Sequence, residues 1–184
     1  MKKSDFTVLP EGLPVPEDDG ACDHLVGQSV PSMELQSTSG SMVNLQDLSG
    51  RTIVFCYPRT GRPGEALPAG WDEIPGARGC TPESCGFRDN FAAFNRAGIR
   101  VFGLSTQDTD YQREVVERLQ LPYEMLSDAG LQFTNSLRLP CFEVAGMTLI
   151  KRLTLLIDDG LIRRVFYPVF PPDRHASEVL TALA

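Results

Sequence analysis

Histidine and tryptophan are nearly missing from this chain of 184 residues, which holds His24 and His175, far apart, and the single Trp71. Structural zinc asks for about four clustered nitrogen or sulfur ligands, and two remote histidines do not provide them. Long apolar runs are lacking too. None approaches the roughly 20 residues of a membrane span. Lys2 and Lys3 are followed by Ser-Asp-Phe-Thr-Val-Leu-Pro rather than by the apolar core of a secretory signal. Basic residues are outnumbered, 17 Lys and Arg against 24 Asp and Glu, giving a formal net charge of -7. A negative body repels nucleic-acid phosphates and anionic lipid headgroups. The expectation is a soluble cytoplasmic protein, monomer or homodimer, without metal or cofactor and with neither nucleic acid nor membrane as partner.

What the chain does contain is five cysteines, Cys22, Cys56, Cys80, Cys85 and Cys141. The count is odd, and in a reducing compartment such thiols are reactive or buried rather than structural staples. Only Cys80 and Cys85 stand close together. A length of this order fits one domain whose own core suffices for folding.

Residues 1–24 are rich in Pro, Asp, Glu and Gly without periodicity, and read as an arm that wraps the surface or stays mobile. One domain over 25–184 follows. Short strands are expected at 33–36 and 42–45, around a Ser-Gly-Ser turn. Thr52–Tyr57 is a continuous apolar, β-branched and aromatic run, as in a strand covered on both faces. Residues 59–79 hold five glycines and three prolines around Trp71, and such a loop suits a functional lid. Trp71 either shields a pocket there or anchors its own loop.

A helix is expected over 82–97, with Phe87, Phe91 and Phe94 on one face. A strand over 99–104, an amphipathic helix over 109–120, a strand at 123–126 and a helix at 129–136 follow. A hairpin of 149–157 with 161–166 turns at Asp158-Asp159-Gly160, and a helix over 172–183 ends the chain. This order implies an α/β sandwich about a central mixed sheet, with ligands bound beyond the carboxyl ends of its strands.

Cys80 falls at the start of the 82–97 helix, where unpaired N–H groups and the dipole favour a thiolate. Arg78 could lower its pKa further. The alternative is a small buried apolar residue. Cys85 stands five positions on, about 140° round a helix, with Cα atoms roughly 8–9 Å apart. A disulfide between the two demands less than about 7 Å, so it would unwind the first turn and suits a transient redox bond. The alternative is a filler of the helix face.

The run Gly79-Cys80-Thr81-Pro82-Glu83-Ser84-Cys85-Gly86-Phe87-Arg88-Asp89 resembles the active-site helix of the bacterioferritin-comigratory, or Q-type, peroxiredoxins. Arg152-Leu153-Thr154-Leu155-Leu156-Ile157-Asp158 is similar to that family's arginine-bearing strand. The resemblance covers roughly residues 25–184 and implies a thioredoxin-like three-layer sandwich. It implies Cys80 as peroxidatic and Cys85 as resolving cysteine, with Arg152 holding the peroxide and lowering the Cys80 pKa. Substrates would be hydrogen peroxide or organic hydroperoxides, and the reductant thioredoxin or a similar dithiol.

The chain departs from the family where a threonine should stand three residues before the cysteine: Ala77 is there instead. Tyr57-Pro58 stands 22 residues upstream of Cys80, as if about fourteen residues were inserted. Thr60 or Thr81 is the candidate for the missing hydroxyl.

Other residues carry weaker expectations. Glu83 orients an arginine, caps the helix or is a plain surface charge; Arg88 and Asp89 pair locally. Cys56 is core, Cys141 a loop residue and fallback resolving thiol, and Cys22 a partner only if the arm folds over the site. His175 reads as a solvated helix residue rather than a general base. The rival functions are a disulfide oxidoreductase on the same fold, which predicts Cys-x-x-Cys, and a redox sensor without turnover, which Ala77 keeps open.

Overall fold

The protein is described by a computed structural model that covers residues 6–184. Its strands are β1 (Leu35–Ser37), β2 (Met42–Val43), β3 (Arg51–Cys56), β4 (Arg100–Ser105), β5 (Glu124–Ser127), β6 (Cys141–Val144), β7 (Met147–Ile150), β8 (Leu153–Asp158) and β9 (Leu161–Phe166). Its helices are α1 (Cys80–Asp89), α2 (Phe91–Arg96), α3 (Thr109–Leu119), α4 (Gln132–Leu137) and α5 (His175–Leu183). Seven strands form one sheet in the order β2-β1-β5-β4-β3-β8-β9. The central β3, β4 and β5 run parallel, while β8 is antiparallel to β3 and β1 antiparallel to β5. The expected mixed-sheet α/β sandwich is therefore present.

The unbroken apolar run of β3 follows from burial on both faces. Ile53, Phe55 and Tyr57 face a core completed by Phe87, Phe94, Val115 and Val179 of the helices. Val54 and Cys56 face a second core with Leu25, Leu104 and Phe133. Gly103 of β4 is dictated by its neighbours, because a Cβ there would lie 2.1 Å from Met125 Sδ and 2.9 Å from Phe55 Cζ.

The single helix expected over 82–97 is instead two, parted at Asn90 (φ -97°, ψ 1°). Asn90 Nδ2 donates to the Gly86 carbonyl at 2.8 Å, a local alternative that interrupts a helix. The apolar run 149–157 is likewise two strands. β7 pairs with β6, a strand the sequence did not suggest, and β8 returns to the main sheet. The run divides because it serves two cores: Leu149 and Phe142 pack with Trp71 and Ala77, whereas Leu153 and Leu155 enter the main core. Cys141 accordingly opens a strand and is no loop residue. Arg152 sits between the two strands.

Residues 6–24 lie against the body. Phe6 and Cys22 are buried, and the Asp19 carboxylate accepts from Lys151 Nζ at 2.9 Å and Tyr167 OH at 2.7 Å. Among the described residues no helix is long and apolar enough to cross a membrane.

His175 is buried, 2% exposed, and corrects the expectation of a solvated residue. Its Nε2 lies 2.7 Å from Thr154 Oγ1, and its ring meets Phe87 and Phe166 edge-on. It is buried because α5 packs onto α1 at this point. Burial, then the charge of Arg152, lowers its pKa from 6.5 to about 3. The folded protein thus keeps the ring neutral where the unfolded chain protonates it, so stability falls as pH drops from 6.5 towards 3. In urea unfolding, the stability gap between the wild type and His175→Gln is expected to shrink by roughly 3 kcal/mol from pH 7.5 to pH 4. A pH-independent gap would contradict a buried neutral imidazole.

Candidate active site

β3 ends below Tyr57-Pro58-Arg59, and the long loop returns to the same edge to begin α1 at Cys80. Gly79 makes that entry possible. Its φ is 108°, and a Cβ would lie 2.3 Å from Pro172 Cγ and 2.8 Å from Leu9 Cδ2. Both the left-handed backbone and the close approach require glycine.

Arg152 arrives from the break between β7 and β8. Its Nη2 stands 3.2 Å from Cys80 Sγ and donates at 3.3 Å to the carbonyls of Ala77 and Arg78, while Nη1 bonds the Glu83 carboxylate. Cys80 and Arg152 are each 3% exposed and Glu83 is fully buried. Glu83 is therefore neither a surface charge nor a cap: it fixes one edge of the guanidinium and leaves another to the sulfur. A planar fork suits such two-sided bonding.

The electrostatics differ from the expectation of a lowered Cys80 pKa. Burial pushes the thiol up; Arg152 opposes this, Glu83 adds to it, and a bond from the Arg59 backbone pulls it down. The space at the sulfur is tight: it measures about 10 Å³, is lined by Phe6, Leu67 and Trp71, and leaves Cys80 buried. Little more than one water fits such a space. Arg78 gives less help than its position suggests, being paired with Asp72 at 3.2 Å and stacked on the Phe6 ring. Glu83 is raised by burial to about 7 against the pull of Arg152.

Neither hydroxyl candidate bonds Cys80. Thr60 is buried, and both its N–H and Oγ1 donate to Gln107 Oε1, at 3.0 and 3.1 Å. Thr81 is buried on α1 and lines the small cavity. Cys80 Sγ lies 3.7 Å from the carbonyl of Ala77, the residue at the departed position. Trp71 both lines the cavity and anchors its loop on Phe142.

Cys85 is half-buried against the Phe55 core and is not part of the Cys80 cavity. Bringing the two sulfurs together requires α1 to open. All five cysteines are free. Cys56 and Cys22 belong to the opposite core, and Cys141 packs against it. The arm covers Cys80 with Phe6, whereas Cys22 stays in that opposite core. Burial lifts the Cys22 thiol to about 12. Arg88 pairs with Asp89 at 2.9 Å, as expected of a local pair.

Sequence reasoning missed Phe6, Leu67, Gln107 and Tyr123. The Tyr123 hydroxyl donates to the Ser84 carbonyl at 2.7 Å. Its place at the head of an apolar strand was the only signal. Behind Arg152, a cavity of about 410 Å³ opens between arm, long loop and body, lined in part by Val15, Ile74, Phe142 and Val169.

This geometry can be set beside known proteins. The sequence profile of the Redoxin family matches residues 25–183. The chloroplastic peroxiredoxin Q of Oryza sativa subsp. japonica is 31% identical over 159 residues, covering 85% of this chain and 65% of the relative's length. The chloroplastic peroxiredoxin Q of Sedum lineare is 30% identical over 159 residues, covering 85% and 76%. Peroxidoxin BcpB of Mycobacterium tuberculosis superposes with a TM-score of 0.68 at 27% identity, covering 87% of this chain and 97% of that one. A Xylella fastidiosa PrxQ mutant shares the fold, with a TM-score of 0.70 at 18% identity. The fold is thus thioredoxin-like, and the chain belongs to the Redoxin family, among the Q-type peroxiredoxins.

Proposed function

We propose that this chain is a thiol-dependent peroxidase with Cys80 as nucleophile. The observation that carries the reading is the Arg152 guanidinium 3.2 Å from Cys80 Sγ, held from behind by buried Glu83. A hydroperoxide ROOH, with R hydrogen or alkyl, enters past Phe6, Leu67 and Trp71. The Cys80 thiolate attacks one oxygen, the O–O bond breaks, and RO⁻ leaves to take up a proton. Arg152 and the Arg59 backbone N–H stabilise the charge gathering on oxygen. Cys80 becomes a sulfenic acid. Ala77 leaves no threonine at the usual place, so backbone donors carry more of this task, and Thr81 lines the same small cavity.

Cys85 then attacks the sulfenic sulfur, an S–S bond forms and water leaves. α1 is suited to open for this step, since Thr81, Ser84 and Gly86 are weaker helix formers than alanine. A thioredoxin-type dithiol supplies two electrons and restores both thiols by exchange. Five free thiols support a reducing compartment such as the cytoplasm; the plant relatives carry chloroplastic names.

Stopped-flow consumption of hydrogen peroxide by sub-stoichiometric protein, with thioredoxin, its reductase and NADPH, tests the reading. Absence of turnover together with an unmodified Cys80 would reject it. Cys85→Ser is expected to complete one turnover and halt at Cys80 sulfenic acid or beyond. Mass spectrometry after one equivalent of peroxide reads this directly, and sustained cycling of Cys85→Ser would move the resolving role to another thiol.

A further inference from the structure

Cys85 meets Cys80 only if α1 opens, and a buried bond from outside the helix holds this segment closed. The Tyr123 hydroxyl donates to the Ser84 carbonyl at 2.7 Å, and Ser84 Oγ in turn donates to the Cys80 carbonyl at 2.9 Å. Tyr123 stands just before β5, and its ring is fixed against Phe55 at 5.7 Å and Phe91 at 5.9 Å. It is 6% exposed. Burial raises its phenol well above the ordinary range, so it remains a neutral donor. Ser84 directly precedes Cys85, so an opening that carries Cys85 to Cys80 also draws the Ser84 carbonyl away. The anchored ring cannot follow, and its hydroxyl is left buried without an acceptor.

We propose that Tyr123 is a positioning residue that keeps α1 wound and thereby sets the lifetime of the Cys80 sulfenic acid before Cys85 condenses with it. The proposal rests on the peroxidase reading. A sulfenic acid that waits longer is more exposed to a second hydroperoxide, which oxidises it to sulfinic acid while ROOH is reduced to ROH. One net hydrogen bond of this kind corresponds to a factor of about three to ten in an opening equilibrium.

Tyr123→Phe keeps the ring and deletes only the donor. Rapid-quench mass spectrometry on wild type and variant, after one equivalent of hydrogen peroxide, separates sulfenic acid formation from disulfide formation. The expected result is an unchanged first step, disulfide closure about three- to tenfold faster, and a smaller sulfinic fraction at excess peroxide. Amide exchange across residues 84–86 in the reduced variant should quicken by a similar factor. A purely structural tyrosine would lower the urea midpoint and leave the ratio of the two steps unmoved. Closure in Tyr123→Phe no faster than in wild type, with the exchange rates equal, overturns the proposal. Failure of the wild type itself to form the Cys80–Cys85 disulfide would instead strike the peroxidase reading.

Discussion

Cys80→Ser is expected to reduce thioredoxin-linked peroxide consumption to the rate of a blank without protein. Oxygen replaces sulfur with little change of volume, so the small cavity and the Arg152–Glu83 pair persist. What disappears is the sulfur, the atom there able to ionise and attack a weak O–O bond. Cys22, Cys56, Cys85 and Cys141 all remain in the variant, which makes the test specific. Turnover retained in Cys80→Ser would place the nucleophile elsewhere. A pH profile of the wild type sharpens the test. Burial raises the Cys80 thiol while Arg152 counters it, so the thiolate fraction, and with it the rate of the first step, climbs with pH up to and past the ordinary cysteine range. Arm variants that open the cavity, such as Phe6→Ala, rehydrate the sulfur and are expected to move that climb to lower pH. Second-order rates of sulfenic acid formation between pH 6 and 9 measure both, and a flat profile would contradict a desolvated thiol.

Much of this site could be read from the chain because its key parts are local. Cys80 and Cys85 share ten residues of helix, and the run from Arg152 to Asp158 is one short segment. The β3 run was equally plain, since burial on both faces leaves Ile53-Val54-Phe55-Cys56 continuously apolar. Elsewhere one pattern had two readings. The apolar stretch 149–157 looks continuous, yet its halves serve separate cores, and the break between them is what turns Arg152 towards Cys80. Asn90 divides a helix whose phenylalanine spacing runs straight across the division. The sign of the Cys80 pKa shift was not legible at all. It depends on how deeply the sulfur is buried, to which Phe6 contributes from an arm distant in sequence whose placement no periodicity encodes.

Arg152→Met is expected to slow sulfenic acid formation by about 10²–10³-fold, the loss typical of removing one preorganised donor from a developing oxyanion. It should also destabilise the fold by roughly 3–5 kcal/mol, because Glu83 is left buried without its counter-charge. The two losses have different origins and can be separated. Glu83 already has its carboxyl raised to about 7 with Arg152 present, and removing the arginine raises it further. A raised carboxyl favours the protonated fold, so the stability deficit of Arg152→Met should be small near pH 5 and grow as pH rises through 7 and beyond. Glu83→Gln added to Arg152→Met removes the charge that cannot be accommodated. This double variant is expected to recover most of the stability at pH 8 and none of the peroxide rate. Urea midpoints at pH 5 and 8, set beside stopped-flow rates, distinguish the guanidinium acting on peroxide from the guanidinium merely neutralising Glu83. Were the double variant to regain rate along with stability, Arg152 would be a structural counter-ion and the oxyanion would need another donor.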